Sequence, residues 1–198
     1  MSRNVQLPKP DETGEMTLEK AVAQRRSMRD YLPEPLTLVE ISQLCWSAQG
    51  QRTQRFRTVP SAGATYPLEL FVVSSDGLFH YLPDKHALEE LITDDLRSEL
   101  AAAAWGQEFI EQAAVTFVLA AEFARTTGQY GERGIRYVYM EAGHAAQNIH
   151  LQAEALGLGS VAVGAFDDDA VGKVLSLPEH LEAIYMVVVG RCRGDSAR

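Results

Sequence analysis

Helical and strand-like hydrophobic patterns alternate along the chain, and the residues between them mark the boundaries. Residues 17–28 predict a short helix opened by Thr17. Glu19 lies near its positive end, and Arg25, Arg26 and Arg29 gather near its negative end, as the helix macrodipole favours. Thr37-Leu38-Val39-Glu40 has the form of a capping box, Leu38, Ile41, Leu44, Cys45 and Ala48 recur at helical spacing, and Gly50 is placed to end that helix. Residues 68–74 read as a strand, Asp76-Gly77 as a tight turn and residues 78–82 as the returning strand of a hairpin. Leu88, Leu91, Ile92, Leu96 and Leu100 share one side of an expected helix over 86–104, and residues 113–121 form a continuous apolar strand. A long helix is expected from Tyr130 or Ile135 to Leu156, stopped by Gly157 and Gly159. A strand over 160–166, a helix over 168–175 capped by Asp167 or Asp168, and a strand over 184–189 follow.

Without internal repeats, this alternation implies an α/β or α+β class, and the hairpin adds antiparallel pairing. A chain of 198 residues with 46% hydrophobic content can bury one substantial core, so a single domain over 17–198 is expected behind a flexible segment over 1–16. The long helix carries small residues at Ala142, Ala145, Ala146, Ala153 and Ala155, which let another helix approach closely. That neighbour is either the helix's own domain, the simpler reading, or a second copy of the chain.

Charge and motif searches narrow the chemistry. A net charge of -9 gives no footprint for a phosphate polymer, so nucleic acid is not an expected partner. Cys45 and Cys192 are far apart and carry no metal or disulfide spacing, and the N-terminus lacks the apolar core of a signal peptide. No run is long enough to span a bilayer, so no membrane contact is expected and a reducing cytoplasm is the expected location. The glycine-rich run 157–164 leads into a strand, whereas a dinucleotide fingerprint opens a helix, and there is no mononucleotide P-loop. Ser61 precedes a strand and so is not a nucleophile elbow. The histidines lack ligand spacing, and Asp167, Asp168 and Asp169 are most simply helix caps, so no metal site is expected.

Two basic clusters remain against the acidic trend, Arg25-Arg26-Ser27-Met28-Arg29 and Arg191-Cys192-Arg193. Guanidinium groups match a phosphate monoester, to which Ser27 adds a hydroxyl; each cluster alone is more often a solvated helix end or tail, and only their pairing brings the anion reading level with it. The runs Pro60-Ser61-Ala62-Gly63-Ala64 and Val163-Gly164-Ala165-Phe166 are small enough for backbone to lie against a flat ligand, although tight turns at strand ends explain each singly.

Taken in order, R-R-S-M-R, P-S-A-G-A-T-Y-P-L-E-L-F, E-A-G-H-A-A-Q-N-I-H-L-Q-A-E-A-L-G-L-G, G-A-F-D and V-V-G-R resemble the nitroreductase-like FMN oxidoreductases, and within them the SagB-type dehydrogenase branch. The resemblance runs from about Thr17 to Arg193. It implies an α+β fold with a central, mostly antiparallel sheet flanked by helices, completed by a homodimer that holds FMN at the subunit interface. By the same resemblance Arg25, Arg26, Ser27 and Arg29 contact the FMN phosphate, ribityl chain and pyrimidine edge, and Arg191 and Arg193 close on the phosphate. Pro60, Ser61 and Ala62 reach the flavin from the partner subunit, Val163, Gly164 and Ala165 lie beside flavin N5, and Gln107 falls near the pyrimidine. The implied activity is ping-pong hydride transfer between a donor, with NADH or NADPH a candidate, and a small organic acceptor or substrate.

Two departures bear on that activity. The asparagine and glutamine of the nitroreductase P-S-S-x-N-x-Q loop correspond to Ala64 and Tyr66. The lysine-tyrosine pair of the azoline-oxidising members corresponds to Gln129-Tyr130, where glutamine cannot act as a base and Tyr130 remains as a proton donor. A non-catalytic flavin-binding or scaffold protein and an azoline dehydrogenase of a peptide-modifying complex are the alternatives.

Overall fold

The structure is a computed structural model that describes residues 3–192. The apolar run at its centre forms β2 (Leu68–Ser74), buried at every position but Glu69, and pairs on one side with β3 (Gly77–Leu82) across a turn at Ser75-Asp76, one residue before the expected Asp76-Gly77. On its other side lies β5 (Val115–Ala121), buried throughout, and beyond it β7 (Glu182–Gly190) and the edge strand β6 (Gly159–Val163). The opposite flank continues from β3 to β4 (Ala87–Ile92) and β1 (Asn4–Gln6). The resulting seven-stranded sheet has the order β1-β4-β3-β2-β5-β7-β6, with every neighbouring pair antiparallel.

Side chains alternate across this sheet, so each strand feeds two cores. Phe117 and Val187 pack on one face with Leu44 of α2 (Leu38–Gln49) and Ile149 of α6 (Arg133–Ala155). Val118, Met186 and Val188 pack on the other with Leu100 of α3 (Arg97–Ala103) and Val171 of α7 (Asp168–Val174). The short α1 (Leu18–Gln24), α4 (Phe109–Gln112) and α5 (Phe123–Tyr130) complete the helices. Among the described residues no helix is long and apolar enough to cross a membrane.

Several expectations hold. Thr37 and Glu40 form a reciprocal capping box, with the Thr37 N–H donating to Glu40 Oε2 at 2.7 Å. The long helix ends where glycine predicts it. Gly157 takes φ +71°, its N–H donates to Glu154 O at 3.0 Å, and the Leu158 N–H donates to Ala153 O at 2.8 Å, closing a Schellman motif.

Other expectations are corrected. The helix over 86–104 is two elements, β4 and then α3. Its leucine spacing fits a helix, but His86 at φ +46° completes a turn that lays Ala87 and Leu88 back on β3, and β1 pairs with the other edge. Strand pairing on both sides outweighs helical periodicity here. The N-terminal segment is folded on the body: β1 adds to the sheet, Leu7 is buried, and the Asp11 N–H donates to Gln43 Oε1 at 2.8 Å. The first helix stops at Gln24, so its arginines occupy extended chain after it and not its last turn. Gly50 has φ -59°, so it is small because the Trp46 indole occupies the space of a Cβ, not because it must turn left-handed. The helix α5 lacks an apolar stripe long enough to be read from sequence.

Candidate functional site

Leaving α1, the chain crosses the free edge of the sheet. Ser27 bridges Ser160 in parallel, the Met28 N–H donates to Ser160 O at 2.9 Å, Tyr31 bridges Cys192, and the Leu32 N–H donates to Arg191 O at 2.8 Å. This approach is close enough that a side chain at Gly159 would strike Met28 and Cys192. Arg25 faces His150, a buried α6 residue whose Nδ1 lies 2.7 Å from Ser160 Oγ. Burial first, and the Arg25 charge second, hold His150 down to about 4, so it is neutral. Arg26 acts on the Cys192 thiol, and Arg29 stacks its guanidinium 5.8 Å from the centre of the Phe109 ring.

A second loop meets the far end of β6. The Gln107 side chain donates to Ala165 O at 2.8 Å and to Ala104 O at 2.9 Å, and the Asp167 N–H donates to Ala103 O at 3.0 Å. Gly164 and Ala165 are exposed, with only the Tyr185 ring behind Gly164. Three guanidinium groups and the Ser27 hydroxyl on one strand-like segment suit an anion of phosphate size, and the bare Gly164-Ala165 backbone suits a flat ring.

The loop 60–66 stands elsewhere on the chain and is strained. Gly63, Ala64 and Tyr66 take φ values of +61°, +55° and +46°, a left-handed region in which a tyrosine is held only by its surroundings. Those surroundings are dense. Ser61 Oγ accepts from the Tyr66 N–H at 2.9 Å, Tyr66 Oη accepts from the Arg57 N–H at 3.0 Å, and Arg125 donates to Tyr66 O at 3.0 Å. The Arg57 guanidinium covers the Tyr66 ring at 4.8 Å, and Thr65 and Thr126 share a hydrogen bond of 2.8 Å. At Gly63 a Cβ would lie 2.5 Å from Gln129 Oε1 and 2.7 Å from Tyr130 Oη, so both side-chain ends would have to shift to admit it.

Beneath this loop is a polar layer that the sequence reading missed. Arg57 donates to Gln49 Oε1 at 2.8 Å and to Leu68 O at 3.3 Å. Arg125 pairs with Glu69 at 2.7 Å and Glu122 at 2.6 Å, and Glu69 also holds His80 at 2.8 Å. Glu141 on α6 is buried against Ser61 and Arg57; burial pushes its carboxyl up to about 7, although both neighbours oppose that shift. Gln49 Nε2 and Glu141 Oε1 have no hydrogen-bond partner. A signal for Glu141 existed: it falls between Val138 and Ala145 at the spacing of the helix's buried face.

The expected site residues therefore separate into two groups within one chain. Arg25, Arg26, Ser27 and Arg29 surround β6 with Gln107, Val163, Gly164 and Ala165, whereas Pro60, Ser61 and Ala62 lie with Tyr130 over α5 and α6. Among the described residues no hydrogen bond joins the two. Arg191 points away from an anion site, its Nη2 3.0 Å from both Glu40 carboxylate oxygens and its Nε 3.6 Å from Glu34. Arg193 lies outside the described residues. Tyr130 is half-buried, its ring 5.3 Å edge-on from Tyr137. No group of histidine, cysteine, aspartate and glutamate among the described residues could hold a metal ion.

Comparison with known proteins gives a consistent result. Residues 22–191 match the model of the Nitroreductase family. A Methanocaldococcus jannaschii protein assigned by name as a nitroreductase is 43% identical over 94% of this chain and 96% of its own length. The microcin B17-processing protein of Escherichia coli is 29% identical over 66% of this chain, which spans 52% of that relative's length. A crystal structure of a Ralstonia eutropha protein, also assigned as a nitroreductase, superposes with a TM-score of 0.88 at 30% identity, covering 97% of this chain and 90% of that one.

Proposed function

Since the chain belongs to the nitroreductase family and is an oxidoreductase of that superfamily, we propose that it binds FMN and works by ping-pong hydride transfer. With FMN bound, a donor such as NADH or NADPH and a small organic acceptor would use the same slot in turn. When bound, FMN supplies the atom that accepts and donates hydride, so the protein must bind, orient and shield it. In this reading Arg25, Arg26, Ser27 and Arg29 hold the phosphate and ribityl chain, Gln107 fixes the Ala165 carbonyl, and Gly164 and Ala165 lie beside the ring. The observation that carries the reading is the docking of the arginine segment along β6, which sets Arg29 over Phe109, while Gln107 holds Ala165 beyond the other end of that strand.

A homodimer follows from the same reading. The loop carrying Pro60, Ser61 and Ala62 is apart from Gly164 in one chain, so a second copy must deliver it to the ring. Exposed Ile135, Tyr139 and Met140 on α6 support that partner face. Arg191 contributes to the phosphate only if it leaves Glu40.

The absorption spectrum of the purified protein, recorded before and after anaerobic addition of NADH or NADPH, tests the proposal. The expected result is a flavin spectrum that bleaches; absence of flavin, even after FMN is added, would overturn it. A second reading, a flavin-binding protein without turnover, is favoured by Gln129, which packs against Gly63 where the azoline-oxidising branch needs a basic side chain. Flavin that persists after nicotinamide addition would select it.

A further inference from the structure

Glu141 lies on the buried face of α6, 3% exposed, with Oε1 unpartnered. An ionised carboxylate is poorly tolerated there, because the donors that would replace its water shell are few. The groups facing it are Ser61 from the strained loop and Arg57 from the segment before that loop. Arg57 is already committed: it hydrogen-bonds Gln49 and Leu68, covers the Tyr66 ring, and shares the fields of Glu69 and Arg125. Its attraction does not offset the burial of the carboxyl, which changes charge near pH 7.

The hydrogen-bond inventory of Ser61 gives that change a consequence. A hydroxyl has one proton to donate and two lone pairs to accept with. One lone pair of Ser61 Oγ is filled by the Tyr66 N–H at 2.9 Å. A protonated Glu141 donates to the other, leaving the Ser61 proton free to be donated away from Glu141. An ionised Glu141 can only accept, so it draws the Ser61 proton inward.

We propose that Glu141 is a positioning residue that sets the direction of the Ser61 hydroxyl, offering its proton to the flavin when Glu141 is protonated and withdrawing it when Glu141 is ionised. The proposal rests on the reading of this loop as a flavin contact, but its first half concerns the chain alone. Protonation of Glu141 takes a proton from solvent and needs no other reactant.

Two measurements test it. In isotope-labelled full-length protein without added flavin, the Tyr66 amide proton reports on its bond to Ser61. Its chemical shift should move with a midpoint near pH 7 in the wild type and stay constant in Glu141→Gln, whose amide donates to Ser61 at every pH. FMN affinity, followed by quenching of FMN fluorescence, should fall about fivefold for the one hydrogen bond lost between pH 6 and pH 8. In Glu141→Gln only the change due to the FMN phosphate itself should remain, and Ser61→Ala should bind weakly with that same residual slope. A Tyr66 amide that does not titrate in the wild type, or titrates equally in Glu141→Gln, overturns the proposal. Titration of Tyr66 with no binding of FMN at any pH would uphold the Glu141–Ser61 coupling and overturn the flavin assignment and the second half of the proposal.

Discussion

At the residue scale, two buried titratable groups act on stability with opposite signs. Glu141 has its folded-state value raised from 4.5 to about 7, so the folded protein binds the extra proton, and its stabilisation is full below 4.5 and lost as pH rises toward 7. His150 is depressed from 6.5 to about 4, so the unfolded chain binds the extra proton, and stability is full above 6.5 and lost as pH falls toward 4. Each is worth at most roughly 3 kcal/mol, and between pH 4.5 and 6.5 their slopes oppose. Thermal melts across that window should therefore show a shallow pH dependence in the wild type. Glu141→Gln should become steeper, gaining stability as pH rises, and His150→Gln should lose stability as pH rises. Parallel curves for the three proteins would refute the assignment. Gly63 provides a second prediction: Gly63→Ala must fit a Cβ against Gln129 and Tyr130 in left-handed backbone, and should lose about 1–2 kcal/mol in denaturant unfolding.

At the element scale, the legible parts of the sequence were those whose signals are local. The capping box at Thr37 needs only four residues, and replacing Thr37 by alanine should cost about 1 kcal/mol, read as a lowered Tm. The stop at Gly157 is equally local and falls where the pattern put it, and the hairpin turn falls one residue early, at Ser75-Asp76 with Gly77 opening β3. What was not legible depends on distant partners. Residues 87–92 are a strand because β3 and β1 flank them, and Asn4 to Gln6 are a strand because β4 offers an open edge. The candidate site divides in the same way. The residues near β6 were recognisable as motifs, whereas Arg57, Arg125 and Glu141 support the loop from separate elements and only the fold brings them together.

For the whole molecule, the arrangement of the sheet keeps the two groups of candidate residues apart within one chain. The arginine segment edges the sheet at β6, and the small-residue loop rests on the helical layer of α5 and α6, so the proposed FMN site would take a second copy to join them. The exposed side of α6 is the surface that copy would cover. Met140→Glu, placing a charge at an exposed apolar position there, should convert a dimer to a monomer in light scattering and remove bound flavin in the same step. Flavin retained by a monomer would show that a single chain suffices.

One carboxylate has a wider reach than its place in a helix cap suggests. Glu40 accepts from Thr37 at the start of α2 and from Arg191 where β7 ends, while the Leu32 N–H is bonded to the Arg191 carbonyl. Segments more than a hundred and fifty positions apart in sequence thus share one fastening. Such segments should open as one cooperative unit: in hydrogen–deuterium exchange the amides of Leu32, Thr37 and Glu40 should share a single protection level, and Glu40→Gln should lower all three together.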